Sequence, residues 1–285
     1  MGLPRSCGSS PSVPIPPVMN AASFELPALP MPRMRALALL NDDNSGLRDV
    51  SEVVEGDPAL TAAVLRAANS AISAPRSRIR SASQSIVRIG LGATRRIVLG
   101  AVVGNAFEHL ERADLNVDVL WRHLIATALI ADTVGKAGHG TTDAFTSGLL
   151  HDIGRLAMAS RDPNRYARIV SLARRGVPVV QAEHLMFGAD HLQIGVELAR
   201  EWRIPLEITE AIGTHHDADT PTALCVAVAE GRRIAEHLGI GDGVLGATEE
   251  PAVSGSPEDR ILREMRGAKA LMSRIEWYRE AIQQF

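Results

Sequence analysis

Cysteine is nearly absent: Cys7 and Cys225 are the only two in 285 residues. So few exclude a disulfide framework and suit a reducing compartment. Aromatic residues reach only 4% of the chain, which leaves the core to Ala, Leu, Val and Ile. Period-2 alternation of apolar and polar residues is missing almost throughout, so strands are not expected. A basic excess is missing too. The formal net charge is −3, and nucleic acid is not an expected partner. Two local clusters, "PRSRIR" (Pro75–Arg80) and "ATRRIV" (Ala93–Val98), read as solvated helix ends and loops. No apolar run approaches the ~20 residues of a membrane span. The N-terminal "VPIPPVM" is broken by prolines and lacks the h-region of a signal peptide. A cytoplasmic protein without a membrane partner is expected.

What is present is a succession of helical patterns with start and stop signals. Residues 1–23, rich in Ser, Pro and Gly, predict a disordered leader. "GDPALTAAVLRAANSA" then opens with Asp57 as N-cap and Pro58 at the first helical position. "SIVRIGLGATRRIVLG" reads as two helices parted near Gly90–Gly92, and "LWRHLIATALIADTVGK" turns Leu124, Ile125, Ala128 and Leu129 inward. Further helices run from Pro178 to a stop at Gly188, from an Asp190 cap, from Pro205 and from Pro221. Residues 241–256 read as a Gly/Ser/Pro linker, and 257–285 as one amphipathic helix with Ser256 as its cap. The chain is expected to be all-α.

One stretch carries candidate chemistry. In "SGLLHDIGRLAM" (Ser147–Met158), Leu149, Leu150, Ile153, Leu156 and Ala157 form an apolar stripe at helical spacing. His151, Asp152 and Arg155 share another face, since i,i+3 and i,i+4 neighbours meet. Taken alone, that triplet is an ordinary solvated face. Other residues keep it company. His123 lies early in an apolar helix, His191 opens another with Gly195 one turn on, and His215 and His216 end a third. Glu230 follows the apolar run "ALCVAVA", where a carboxylate needs a partner, a ligand or water. His109, His139 and His237 read as surface residues and His184 as partly buried. Nitrogen and oxygen donors from several helices suit Fe, Mn or Zn rather than a thiolate site. Each residue also has a plain reading: His215 and His216 could favour a helix dipole, and Glu230 could pair with Arg233 at i,i+3.

With these residues in hand, the chain resembles the HDOD family, the HD-related output domain of bacterial signalling proteins. The segments that carry the likeness are "LPALP" (26–30), "GDPALTAAVLRAANSA" (56–71), "SIVRIGL" (85–91), "LWRHLIATA" (120–128), "SGLLHDIGRL" (147–156), "FGADHLQIG" (187–195) and "WRIPLEITEAIGTHHD" (202–217). The resemblance implies an HD-like helical bundle (116–240) with an additional N-terminal helical part (24–115), together forming the HDOD domain at 24–240. It also implies that His123, His151, Asp152, His191, His215, His216 and Glu230 match the metal ligands of catalytic HD relatives. Three departures accompany the match. Glu230 stands where an aspartate is expected, Arg155 replaces a common lysine, and "ADTPTAL" follows "HHD" in place of a glycine-tyrosine-proline loop.

Two functions follow as expectations. The first is a regulatory output module acting on signalling proteins without catalysis, with a metal, nucleotide or cyclic dinucleotide as a candidate ligand. The second is a metal-dependent phosphohydrolase in which Asp152 and Arg155 are the candidate catalytic residues, Arg155 neutralising phosphate charge. No receiver, sensor, GGDEF or kinase segment fits the remaining residues, so a stand-alone module is expected. Its C-terminal helix is expected to dock on its own core.

Overall fold

The longest helix of the computed structural model, α6 (Val117–Gly138), is buried on every side over most of its length, and the other helices wrap it. Leu120, Leu124, Ile125, Ala128, Leu129 and Ile130 are fully enclosed. A helix apolar all round belongs at the centre of a bundle. The structure describes residues 25–282 apart from 41, 43, 71, 74–77, 108, 139–142, 218–221 and 247–254. The expected leader therefore lies outside the described residues, as do His139 and Pro221. The fold is all-α, with no strand among the described residues. Among the described residues no helix is long and apolar enough to cross a membrane.

Ahead of α6, five helices make an N-terminal layer: α1 (Met31–Leu40), α2 (Leu47–Glu55), α3 (Pro58–Asn69), α4 (Ala82–Ile89) and α5 (Leu91–Gly104). The expected signals hold locally. Asp57 caps α3 by accepting from the amides of Ala59 and Leu60. α4 ends at Gly90, whose φ of +86° is open to glycine and costly to other residues. The "ATRRIV" cluster is not a solvated patch. Arg95 bonds Ser45, and Arg96 pairs with Asp132 at 2.6 Å beneath the layer.

α6 makes the second layer with the helices beyond it: α7 (Ala144–Leu150), α8 (Ile153–Arg161), α9 (Pro163–Arg174), α10 (Val179–Phe187), α11 (His191–Glu201), α12 (Leu206–Thr214) and α13 (Ala223–His237). Asp190 caps α11 in a reciprocal box with Gln193. α13 starts from a Thr222 cap, whose hydroxyl accepts from the Cys225 amide.

The C-terminal segment is two helices rather than one: α14 (Pro257–Glu264) and α15 (Ala268–Ile282). Arg266 (φ +66°) and Gly267 (φ +91°) turn left-handed, and the Gly267 amide bonds back to the Leu262 carbonyl at 2.7 Å. That left-handed ending stops a helix which amphipathic spacing alone would continue. α15 docks in cis, across both layers. The Trp277 indole donates to Ser70 Oγ at 2.9 Å, Arg66 to the Ala281 carbonyl at 2.8 Å, and Arg279 to Asp118 at 2.6 Å.

Candidate metal centre

Residues 147–158 do not form one amphipathic helix. α7 stops at Leu150, His151 and Asp152 form a turn, and α8 begins at Ile153. Nor is there a solvated face, because His151, Asp152 and Arg155 are at most 1% exposed. The apolar stripe and the polar triplet are both interior. Two glycines permit this. A β-carbon on Gly148 would stand 2.7 Å from Ala128 Cα, and one on Gly154 would stand 1.9 Å from the His191 carbonyl oxygen. Without side chains at these two points, α7 closes on α6 and α8 closes on the start of α11. The turn is thereby pressed into the bundle.

Around it the structure brings together six of the seven residues singled out in the sequence. Asp152, His191, His215 and His216 present donor atoms within 4.8 Å of one another, and so do His123, His151 and Asp152. Asp152 belongs to both groups. Its Oδ1 lies 3.3 Å from His191 Nε2 and 3.4 Å from His215 Nε2, while Oδ2 lies 3.5 Å from His151 Nε2. Glu230 joins neither group. It sits half-buried on α13. It is not paired with Arg233, which reaches Glu258 on α14 instead. The glutamate in the aspartate position thus does not complete the centre. His184, expected to be partly buried, is exposed.

The orientation of the imidazoles is informative. His151 Nδ1 donates to the Gly148 carbonyl at 2.8 Å, His215 Nδ1 to Ile212 at 2.8 Å and His123 Nδ1 to Ile240 at 3.2 Å. A carbonyl only accepts, so each Nδ1 carries the proton and each Nε2 is a bare lone pair. His191 Nδ1 faces the buried Glu183 carboxylate at 2.6 Å, which fixes the same tautomer. The Nε2 atoms of His123, His151 and His215 and both Asp152 oxygens are buried without a hydrogen-bond partner. Lone pairs of nitrogen facing lone pairs of a carboxylate repel unless a cation lies between them. Donors held ~2.1 Å from one ion at a tetrahedral angle stand ~3.4 Å apart, which is the spacing found. The donor set fits a metal.

Electrostatics prepare the groups as ligands. Burial, first among the causes, lowers the proton affinity of His123, His151 and His215 despite the nearby Asp152. His216, open to solvent on one side, is lowered as well, first by desolvation of its inner face and then by His215. For Asp152, burial favours the acid, but Arg155 and then His151 outweigh it and hold the carboxyl well below its usual range. Neutral imidazoles and an ionised carboxylate are the forms that bind metal.

Three supporting residues were not singled out in the sequence. Glu183 lies eight residues before His191 and accepts from both its Nδ1 and its backbone amide. Its position one turn before the buried Met186 and Phe187 was the available signal. Asp242, in the segment read as a linker, binds Arg155 Nη1 through Oδ2 at 2.6 Å. Tyr166 is fully enclosed, with a hydroxyl that has no partner. Arg155 itself is sandwiched: its Nε lies 3.3 Å from Asp152 Oδ1 on one side, and Asp242 holds the other. Beside His216 a cleft of about 670 Å3 opens, walled by Arg155, Val179, Arg232, Arg233, Glu236 and Asp242 among others.

The profile of the HDOD domain family matches residues 26–218. Among solved structures, an HDOD domain protein of unknown function from Geobacter sulfurreducens is 23% identical, with a TM-score of 0.71 over 92% of this chain and 94% of that one. A candidate phosphohydrolase from Shewanella amazonensis SB2B is 26% identical, with a TM-score of 0.66 over 90% and 93%. A candidate signal transduction protein from Marinobacter aquaeolei VT8 is 22% identical, with a TM-score of 0.64 over 92% of this chain and 59% of that one. No curated protein matches the chain.

Proposed function

Because the chain belongs to the HDOD domain family, we propose that it is a bacterial signal-transduction output module that acts on protein partners and holds a divalent metal at its core without turning over a substrate. His123, His151, Asp152, His191, His215 and His216 would hold the metal, with Fe, Mn or Zn suited to the all-N/O donor set. When bound, such an ion supplies Lewis acidity and lowers the pKa of coordinated water.

One observation carries the regulatory reading: the guanidinium of Arg155, which a phosphohydrolase would turn toward phosphate, is already taken by Asp152 and Asp242. Charge neutralisation of a substrate would first have to displace a carboxylate. The fold shared with a protein described as a candidate signal transduction protein points in the same direction. A second reading, phosphohydrolase, is favoured by the exposed His216 at the mouth of the cleft and by a relative described as a candidate phosphohydrolase.

Elemental analysis of chelator-free protein, paired with phosphodiesterase and phosphomonoesterase assays in added Mn or Fe, separates the two. Stoichiometric metal without turnover is the expected outcome. Turnover abolished by Asp152→Ala would overturn the non-catalytic reading, and absence of metal would overturn the centre itself.

A further inference from the structure

The ion pair that occupies Arg155 is built in an unusual way. Asp242 lies in no helix. Its Oδ1 accepts from the amides of Val244 and Leu245 at 3.0 and 2.9 Å, which fixes a tight turn. The turn is tied to the body at Gly243 (φ +82°), whose carbonyl accepts from the Asn116 amide at 3.0 Å. The remaining oxygen, Oδ2, is thereby aimed at Arg155. A single carboxylate, carried on a turn outside the helices, is thus presented to a buried guanidinium from the cleft side.

The cleft itself carries charge of both signs. Arg155, Arg232 and Arg233 stand on its wall against Glu236 and Asp242. Glu236 is engaged by Arg232 at 2.7 Å, and Arg233 reaches out to Glu258. Asp242 is therefore the lining carboxylate that sits directly on the guanidinium nearest the metal centre. A carboxylate and a phosphoryl group offer an arginine fork the same paired anionic oxygens. At about 670 Å3 the space is within the range of small-molecule sites.

We propose that this cleft is a binding site for a small phosphorylated anion, and that Asp242 is an internal occupant which such an anion must displace from Arg155. The ligand's phosphate would take the Oδ2 position on Arg155 and a second contact from Arg232, and the turn carrying Asp242 would be released. The inference rests on the metal-centre reading in one respect: a cation at Asp152 draws that carboxylate's charge away from Arg155 and leaves Asp242 as its main counter-ion.

The test is calorimetric titration of inorganic phosphate into the Mn-loaded full chain, comparing the unaltered protein with Asp242→Asn and with Asp242→Asn/Arg232→Gln. Asparagine keeps an oxygen for the Val244 and Leu245 amides and removes the competing charge. Asp242→Asn should bind phosphate at least about tenfold more tightly, and Arg232→Gln should reverse most of that gain. Equal or weaker binding by Asp242→Asn, or a gain indifferent to Arg232→Gln, overturns the proposal. A second measurement needs no variant. Saturating phosphate should speed hydrogen exchange at the Val244 and Leu245 amides of the unaltered protein, and unchanged exchange counts against displacement. Metal content separates the two readings: a chain that loads no metal fails the metal centre, whereas a loaded chain without the phosphate gain fails this inference alone.

Discussion

At Asp152 five imidazoles and one guanidinium converge on two carboxylate oxygens. Substituting Asp152 with alanine removes the member common to both donor groups and leaves Arg155 with one counter-ion. Metal should be lost by elemental analysis, and breaking a buried pair should cost about 3–5 kcal/mol in denaturant unfolding. Glu183→Gln is milder. It leaves the His191 ring in place but weakens the hold on its tautomer, and metal affinity by competition with a chelator should fall roughly 10–100-fold. Protons act here too. His123, His151 and His215 have folded-state pKa values below that of the unfolded chain, with burial the first cause. Below about pH 6.5 the unfolded chain therefore binds more protons, so stability is full above that pH and declines as the pH falls. Metal-free protein should show a melting temperature that drops from about pH 7 to about pH 5. A flat profile would mean that these rings are not buried neutral.

Helix by helix, the termini were the most readable part of the chain. Asp57, Asp190, Ser256 and Gly90 act where the sequence places them, because caps depend on residues within one turn. The break at His151–Asp152 was not readable. It depends on Gly148 and Gly154 meeting α6 and α11, contacts that periodicity cannot register. The same limit applies to the site. Histidines stand out among apolar neighbours, whereas Glu183 and Asp242 acquire meaning only through partners 8 and 87 residues away. Glu230 misled because its place in the sequence pattern suggested a ligand and its place in space does not. The close approach at Gly154 can be tested. Gly154→Ala forces a methyl into the His191 carbonyl, so α11 must shift; metal affinity should fall by more than an Ala on a free helix surface could explain. Gly100→Val makes the corresponding test of α15, since a β-carbon there would lie 2.3 Å from Ile282 Cδ1. A loss in melting temperature that Ile282→Ala partly restores is the expected result.

Across the whole molecule, the candidate centre ties the second layer together. His123 comes from α6, the His151–Asp152 turn from between α7 and α8, His191 from α11 and His215 from the end of α12. An ion bound only by the folded chain adds stability in proportion to the logarithm of its concentration. Chelation should therefore lower the melting temperature of the entire protein, and a shift confined to one phase of the transition would show that the layers unfold separately. That outcome is not expected, since α15 spans both layers through Trp277 to Ser70 and Arg279 to Asp118.

The position of α15 also carries a consequence for biosynthesis. Leu271, Ile275 and Ile282 cover surface belonging to α3, α5 and α6, yet α15 is translated roughly 130 residues after α6 ends. At ~5–20 residues per second that apolar seam stays uncovered on the ribosome for about 6–26 seconds. During this interval the nascent chain presents a greasy groove to any holding chaperone. The segment that covers it lies far from the candidate metal ligands in sequence.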